Sequence, residues 1–224
     1  MVENWLNENM DNLRRLRRWL HQHPEIGFDE HKTSKYLQRK LINSGYSITQ
    51  TPEMKTGFTC EYGEGSGKTL GIRCDMDALL VQEKSDKEYI SVNDGVTHAC
   101  GHDAHMSIVT GLALYCQNIK PEINGKIRFL FQPAEEQAPG GAIAMIDGGA
   151  IENMDHIIAG HVLPKLKGGV IGLKQGPMAA TVESIEINVD GPGGHTSRPA
   201  ESVDLVWVTS HLVISLEESI KHHL

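Results

Sequence analysis

Apolar residues along this chain follow two patterns, one typical of amphipathic helices and one typical of buried strands. Spacings of three and four residues through Leu13, Leu16 and Leu20 predict a first helix over residues 3–22. Related patterns predict helices at residues 30–44, 106–119, 140–151 and 202–220. Short apolar runs punctuated by glycine predict strands within residues 58–65, 68–79, 124–136, 154–162, 168–176 and 182–191. This alternation indicates an α/β fold with a mixed, largely parallel sheet flanked by helices.

Composition and charge limit the classes of molecule that the protein is expected to bind. Of the 224 residues, 39% are hydrophobic and the net charge is −8, which favours a globular protein over one that binds nucleic acid or an anionic membrane. The one basic cluster is interrupted by leucines, so it predicts the solvated face of a helix; its members are Arg14, Arg15, Arg17 and Arg18.

Four cysteines occur and none forms a C-x-x-C pair. The first residues are polar and acidic, unlike a signal peptide, and no apolar run approaches the length of a bilayer span. We therefore expect a cytoplasmic protein whose cysteines are thiols, with structural roles for Cys60, Cys74 and Cys116.

Potential metal ligands follow three predicted strands at the point where each apolar run ends. Asp75 and Asp77 follow one strand, Glu135 and Glu136 another, and His161 a third. In open α/β sheets, ligands bind beyond the carboxyl ends of the strands. These distant residues are therefore expected to converge on one edge of the sheet.

The stretch THACGHDAHM adds a thiol and imidazoles to this set. Thiolate, imidazole and carboxylate together suit zinc, manganese, cobalt or nickel better than calcium or magnesium, and the ligand set would be Cys100, His102, Glu136 and His161. Of the adjacent Glu135 and Glu136, one can bind metal while the other acts as general base toward a water whose pKa a metal lowers to about 7.

Each residue also has a plainer interpretation. A lone cysteine is more often buried packing, a lone histidine is more often a core residue, and paired glutamates after a proline often begin a helix. Their coincidence at successive strand ends favours the metal site. His98 and His105 remain open between supporting partners and turn residues, while Asp75 and Asp77 are expected to orient ligands or shape the rim rather than bind metal.

A series of motifs in this chain resembles the M20 metallopeptidase family. The motifs, in order, are RRWLHQHPEIGFDEHKTS, RCDMDAL, HACGHDAHM, FQPAEE, GHVLP and GPGGHTSRP. They are most similar to the branch of amidohydrolases that cleave N-acyl amino acids, such as hippurate hydrolases and auxin-conjugate hydrolases. The resemblance covers residues 12 to about 206 and implies a zinc-peptidase-like catalytic domain.

The resemblance implies a centre of two divalent metal ions and a role for each matching residue. Glu135 matches the general base and Asp77 the supporting carboxylate, while the implied ligands are Cys100, His102, Glu136 and His161. His195 matches a histidine of a small lid domain that, in related enzymes, reaches a neighbouring subunit's site and stabilises the charge developing on the carbonyl.

The chain is shorter than the members of this family. We expect residues 1–180 to form the amino-terminal part of the catalytic domain and residues 181–224 the beginning of an α+β lid or dimerisation domain. The last histidine ligand and the returning strands would then be missing, leaving a sheet edge open. Three functions follow as alternatives: an N-acyl amino acid amidohydrolase that forms homodimers through a complete lid, a noncatalytic metal-binding remnant or partner of a missing half, and a dipeptidase or carboxypeptidase.

Overall fold

Most predicted elements occur in the computed structural model, which describes residues 1–179, 185–195 and 197–223. The helices are α1 (Val2–Gln22), α2 (His31–Asn43), α3 (His102–Ile119), α4 (Gly141–Asp147) and α5 (Leu205–His223). The strands are β1 (Ile48–Thr49), β2 (Phe58–Tyr62), β3 (Lys68–Asp75), β4 (Gly125–Gln132) and β5 (His156–Ala159).

The strands form one mixed sheet in the order β1-β2-β4-β3-β5. β3 lies between β4 and β5 and is parallel to both, whereas β2 is antiparallel to β4 and β1 is antiparallel to β2. The predicted α/β class, with a mixed sheet and flanking helices, is confirmed. The sheet ends on β5, where Ile157 and Ile158 are each 53% exposed.

Alternation along β4 divides the core between the two faces of the sheet. Phe129 and Phe131 belong to the larger cluster with residues of α1, α2 and α3, while Leu130 belongs to a smaller cluster with Met145 of α4. Successive side chains of a strand point to opposite faces, so β4 separates the two clusters. Phe131 also stacks on Phe58 of β2, with ring centroids 4.5 Å apart.

The chain divides into two compact units, Met1–Lys167 and Gly168–Leu224. The second contains a short 3₁₀ helix at Pro199–Glu201 and α5. The strand predicted at residues 168–176 is wrong, and so is the strand prediction for residues 185–191; residues 182–184 lie outside the described residues. The assignment of residues 1–180 and 181–224 to a catalytic domain and a lid stays a prediction.

Helix α3 begins earlier than predicted, and this changes where its histidines lie. The prediction began at residue 106, whereas the helix begins at His102. His102 and His105 therefore lie three positions apart within one turn, on the same side of the helix. Among the described residues, the helices do not combine the length and apolar content that crossing a membrane requires.

Candidate metal centre

The carboxyl ends of β3, β4 and β5 bring the predicted residues to one edge of the sheet. The parallel register pairs Asp75 with Gln132 and Arg73 with Ala159, so the three strands end almost level. The next residues of each strand therefore enter the same space, which explains how side chains from residues 77, 136 and 161 meet. The start of α3 at His102 approaches the same edge.

Three side chains form the centre of this cluster. One potential ligand atom from each of Cys100, His102 and His161 lies within 4.8 Å of the other two. The Cys100 sulfur lies 3.3 Å from His161 Nε2. A second such group contains His102, Glu135 and Glu136, so His102 connects the thiol side of the cluster to the carboxylate side.

Hydrogen bonds to backbone carbonyls settle which nitrogen of each imidazole is free. His102 Nδ1 lies 2.9 Å from the Asp77 carbonyl oxygen, and His161 Nδ1 lies 2.8 Å from the Val162 carbonyl oxygen. A carbonyl only accepts, so Nδ1 carries the hydrogen in both rings. The lone pair of each neutral ring is therefore on Nε2, the nitrogen that takes part in the cluster.

His102 Nε2 has no hydrogen-bond partner among the described residues, although His102 is only 1% exposed. Its nearest charged neighbour is Glu136 Oε1, at 3.7 Å. A buried polar atom without a partner is costly, and its occurrence among thiol, imidazole and carboxylate groups fits a divalent cation. The thiol, imidazole and carboxylate groups therefore suit a divalent metal ion of borderline softness.

The acidic residues place a surplus of negative charge around His102. Burial would lower the pKa of His102, but hydrogen bonding to Asp77 and the charges of Asp75 and Glu136 raise it overall. Burial and the neighbouring Glu136 raise the pKa of the Cys100 thiol to about 12. The Cys100 thiol therefore keeps its proton at neutral pH, and a coordinated divalent ion would displace that proton.

Asp77 connects the ends of two strands. Its Oδ2 accepts the backbone N–H of Glu136 at 2.9 Å, and its Oδ1 lies 3.3 Å from His102 Nδ1. Burial would raise the pKa of Asp77, but the neighbouring His102 and the backbone N–H groups of Glu136 and Glu135 lower it overall, so the carboxylate is ionised. Asp77 thus orients one imidazole and one glutamate, which is the arrangement expected of a carboxylate that supports ligands.

His105 and Asp75 support the segment that carries His161. His105 Nε2 accepts the backbone N–H of Val162 at 3.0 Å, so its Nδ1 donates to Asp75 Oδ1 at 2.7 Å. Asp75 also pairs with Arg73 at 2.7 Å. His105, left open between two interpretations by its sequence, is therefore a buried supporting residue within α3.

Glycine at position 101 is required by the close approach of two segments. Gly101 has a φ of +87°, in the left-handed region that disfavours side chains. A Cβ atom there would lie 2.4 Å from Val162 Cγ2. The glycine between Cys100 and His102 therefore lets the His161 segment pack against the start of α3.

Glu135 and His195, the predicted general base and the predicted lid histidine, have different surroundings. Glu135 is exposed and lies in the group with His102 and Glu136. His195 lies in the second unit, where its Nδ1 accepts hydrogen bonds from the Ser197 backbone at 3.2 Å and hydroxyl at 2.9 Å. Its predicted role in stabilising the carbonyl charge stays a prediction.

Sequence reasoning missed Glu30, which holds the loop that follows β4. Glu30 is fully buried, and its Oε1 accepts the backbone N–H of Ala134 at 2.8 Å. Its Oε2 accepts the Thr56 hydroxyl at 2.5 Å. The only signal for this role was an acidic residue at a helix start, which is common at exposed helix ends and does not by itself indicate burial.

Comparison with known families decides the relationship of this chain to other proteins. Residues 71–221 match the model of peptidase family M20/M25/M40. The chain belongs to this family. The resemblance inferred from the sequence motifs is thereby confirmed.

Individual M20 relatives carry related hydrolase names. The chain is 36% identical over 208 residues to an N-acyl-L-amino acid amidohydrolase of Geobacillus stearothermophilus, covering 93% of this chain and 56% of that protein. It is 37% identical over 210 residues to an N-acetylcysteine deacetylase of Bacillus subtilis, covering 93% and 55%. A thermostable carboxypeptidase of Saccharolobus solfataricus is also 37% identical, with 93% and 53% coverage. The chain thus spans about half the length of these relatives.

Solved structures of M20 relatives share the fold. The YXEP protein of Bacillus subtilis, a dinuclear metal-binding peptidase of the M20 family, matches with a TM-score of 0.71 and 39% identity, over 75% of this chain and 46% of that one. A protein from methicillin-resistant Staphylococcus aureus matches with a TM-score of 0.79 and 32% identity, over 98% of this chain and 58% of that one.

Proposed function

We propose that this chain functions in a metal-dependent amidohydrolase that cleaves the amide bond of N-acyl amino acids. The observation that carries the proposal is the free, buried Nε2 of His102, surrounded by the Cys100 thiol and the Glu136 carboxylate. The names of the Geobacillus and Bacillus relatives support the substrate class. Membership of the M20 family supports hydrolysis.

We assign the metal ligands as Cys100, His102, Glu136 and His161, with two divalent ions as in the YXEP protein. Zinc and manganese are the proposed ions, with cobalt and nickel as alternatives, because the donor set combines sulfur, nitrogen and oxygen. When bound, such ions would polarise the amide carbonyl and acidify water. Asp77 keeps His102 and Glu136 in place through the contacts described above.

Glu135 is the proposed general base. It is exposed, adjacent to the Glu136 ligand, and one of its oxygens lies within 4.8 Å of a His102 nitrogen. A carboxylate in that position accepts a proton from the attacking water and returns it to the leaving amine. His195 is proposed to reach the site of a neighbouring subunit in a dimer and to donate a hydrogen bond to the carbonyl oxygen as negative charge develops there.

Two other functions have specific support. The Saccharolobus carboxypeptidase is as similar to this chain as the deacetylase is, so cleavage of a peptide bond is the second candidate reaction. A noncatalytic metal-binding role is the third, because the grouped thiol, imidazole and carboxylate side chains support metal binding by themselves. Dimerisation through a lid is a prediction that accompanies the first function. A cytoplasmic location is proposed because the four cysteines are free thiols.

Metal removal tests the proposed reaction. The chain, supplied with zinc or manganese, is expected to release free amine from N-acetyl amino acids and from hippurate, and to lose this activity after treatment with a chelator. Readdition of the metal should restore it, because the donors described above hold the ion reversibly. Metal binding without turnover of these substrates or of dipeptides would contradict the hydrolase and favour the noncatalytic role.

A further inference from the structure

Two largely buried carboxylates meet at His21, in the last turn of α1. His21 is 5% exposed, with its Nδ1 3.0 Å from Asp103 Oδ2 and its Nε2 3.2 Å from Glu83 Oε1. Asp103 belongs to the first turn of α3, directly after His102. Glu83 belongs to the segment of residues 76–101 that joins β3 to α3. One ring therefore connects three parts of the chain.

Both ring nitrogens of His21 must donate in this arrangement. A neutral imidazole has one N–H, and an ionised carboxylate only accepts hydrogen bonds. Asp103 Oδ2 also accepts a hydrogen bond from Arg17 Nε at 3.1 Å, and an arginine side chain stays charged. Burial would raise the pKa of Glu83, but hydrogen bonds from two neighbouring serines and from His21 lower it to about 2. Both acids are therefore ionised, and the ring between them is an imidazolium.

The two neighbouring cations do not connect the acids in this way. Among the described residues, Arg17 pairs with Asp103 alone, and Lys87 lies 3.7 Å from Glu83 alone. The side chains of these cations are 46% and 44% exposed, and ion pairs so open to water are weak. The contact that joins one acid to the other is therefore His21.

The surroundings of His21 favour its protonated form. The hydrogen bond with Asp103 raises the pKa of His21 against the opposing effect of burial, and Glu83 raises it further. Tyr89 contributes the edge of its ring, with centroids 5.6 Å apart. Burial lowers the pKa of the nearby His98 to about 4, so that ring adds no charge. The imidazolium therefore persists above the ordinary histidine pKa of about 6.5 and is lost as the pH rises through the raised value.

Along the chain, the two acids lie on either side of two proposed metal ligands. Glu83 precedes Cys100, and Asp103 directly follows His102. By contacting both acids, His21 closes the stretch from residue 83 to residue 103 into a loop. A closed loop has fewer conformations than an open one, so closure favours the arrangement in which Cys100 and His102 lie together.

We propose that His21 is a positioning residue: as an imidazolium bound to Glu83 and Asp103, it holds Cys100 and His102 in the geometry that binds metal. This inference rests on the proposed function, because the two residues that it positions are proposed ligands. His21 acts through the two acids, whose contacts fix the base of the loop. Loss of these contacts therefore lowers metal affinity while the ligands themselves are unchanged.

Nitrogen NMR of the full chain, prepared with isotope-labelled histidine, tests the imidazolium directly. At about pH 7, above the ordinary histidine pKa of about 6.5, His21 should show two protonated ring nitrogens. The signal that is missing from His21→Gln identifies this ring. A His21 ring with one protonated nitrogen at this pH would overturn the proposal.

Glu83→Gln provides a test that does not depend on replacing His21. The amide keeps the shape of the side chain and removes one of the two negative charges, so the pKa of His21 should fall. Glu88→Gln, which changes an exposed glutamate of the same segment, should leave the His21 titration as it is in the parent chain. An unchanged His21 titration in Glu83→Gln would contradict the contact with both acids.

Cobalt(II) titration of the full chain, followed by the thiolate-to-cobalt band, tests the positioning role. His21→Gln should bind cobalt at least about 10-fold more weakly than the parent chain, the lower end of the effect seen for residues that orient metal ligands. His23→Gln is the matched control, because His23 contacts Trp19 of its own helix and neither acid. Its cobalt affinity should equal that of the parent chain.

A double variant separates the shared charge from a general loss of packing. His21→Gln combined with Glu83→Gln should bind cobalt more tightly than His21→Gln alone, because it no longer leaves two carboxylates facing each other without their shared cation. If His21 contributed only packing, the second substitution would restore nothing. A double variant that binds no more tightly than His21→Gln would therefore overturn the charge-based role.

The same titrations separate this proposal from the proposed function. Equal cobalt affinity in the parent chain and in His21→Gln would remove the positioning role and keep the metal centre. No cobalt binding by the parent chain would remove the metal centre and the positioning role together. Cobalt binding that depends on His21, without amine release from N-acyl amino acids, would keep the positioning role and remove the amidohydrolase.

Discussion

Glu135→Gln is expected to reduce kcat for an N-acetyl amino acid by about 10²- to 10⁴-fold, the usual contribution of a general base. Glutamine has nearly the same shape but cannot accept the proton from water. Because Glu135 is not one of the four proposed ligands, metal content should stay the same although Glu135 lies in a group with His102 and Glu136. The measurement pairs steady-state kinetics with elemental analysis of the same protein sample.

A control and a contrary result make the Glu135 prediction specific. Glu64→Gln changes another exposed glutamate, in the turn after β2, and should leave kcat and metal content unchanged. A loss of metal in Glu135→Gln would instead make Glu135 a ligand. A kcat within about threefold of the parent value would show that this carboxylate is not the base.

Glu30→Ala is expected to lower the free energy of unfolding of the first unit by about 3 kcal/mol, as judged by urea denaturation. The fully buried carboxylate accepts hydrogen bonds from the Ala134 backbone and the Thr56 hydroxyl. Truncation leaves both donors buried without their acceptor and also opens a cavity. The large effect therefore comes from unsatisfied polar groups in the interior.

The neighbouring acid provides a matched control for Glu30. Asp29 has a side chain that is 70% exposed, so Asp29→Ala should change the unfolding free energy by less than about 0.5 kcal/mol. Because Ala134 directly precedes Glu135 and Glu136, the Glu30 variant should also bind metal more weakly. Similar urea midpoints for the two variants would contradict the structural role assigned to Glu30.

The edge of the sheet where the site lies could be predicted because it depends on a general property of parallel strands. Polar residues follow β3, β4 and β5, and the parallel register makes these strand ends nearly level. The register between the strands cannot be read from the sequence, but the position of each strand's last apolar residue can. The approach of Asp77, Glu136 and His161 follows from this positional information.

Tertiary contacts account for what the sequence could not predict. The antiparallel pairing of β2 with β4 and the two-residue β1 depend on partners distant along the chain. Arg17 was expected to be solvated like its neighbours, and only the fold shows that it pairs with the buried Asp103, 86 residues away. Residues 168–176 have the glycine-punctuated apolar pattern of a strand, yet they pair with no strand among the described residues.

Cobalt(II) titration, followed by the thiolate-to-cobalt charge-transfer band, tests most directly whether Cys100 shares a metal with His102 and His161. The band should develop in the parent chain and in Cys116→Ala, whose altered side chain lies about four turns along α3 from His102. It should be absent from Cys100→Ser, because a hydroxyl cannot supply the sulfur ligand. A band of equal intensity in Cys100→Ser would contradict the metal centre described here.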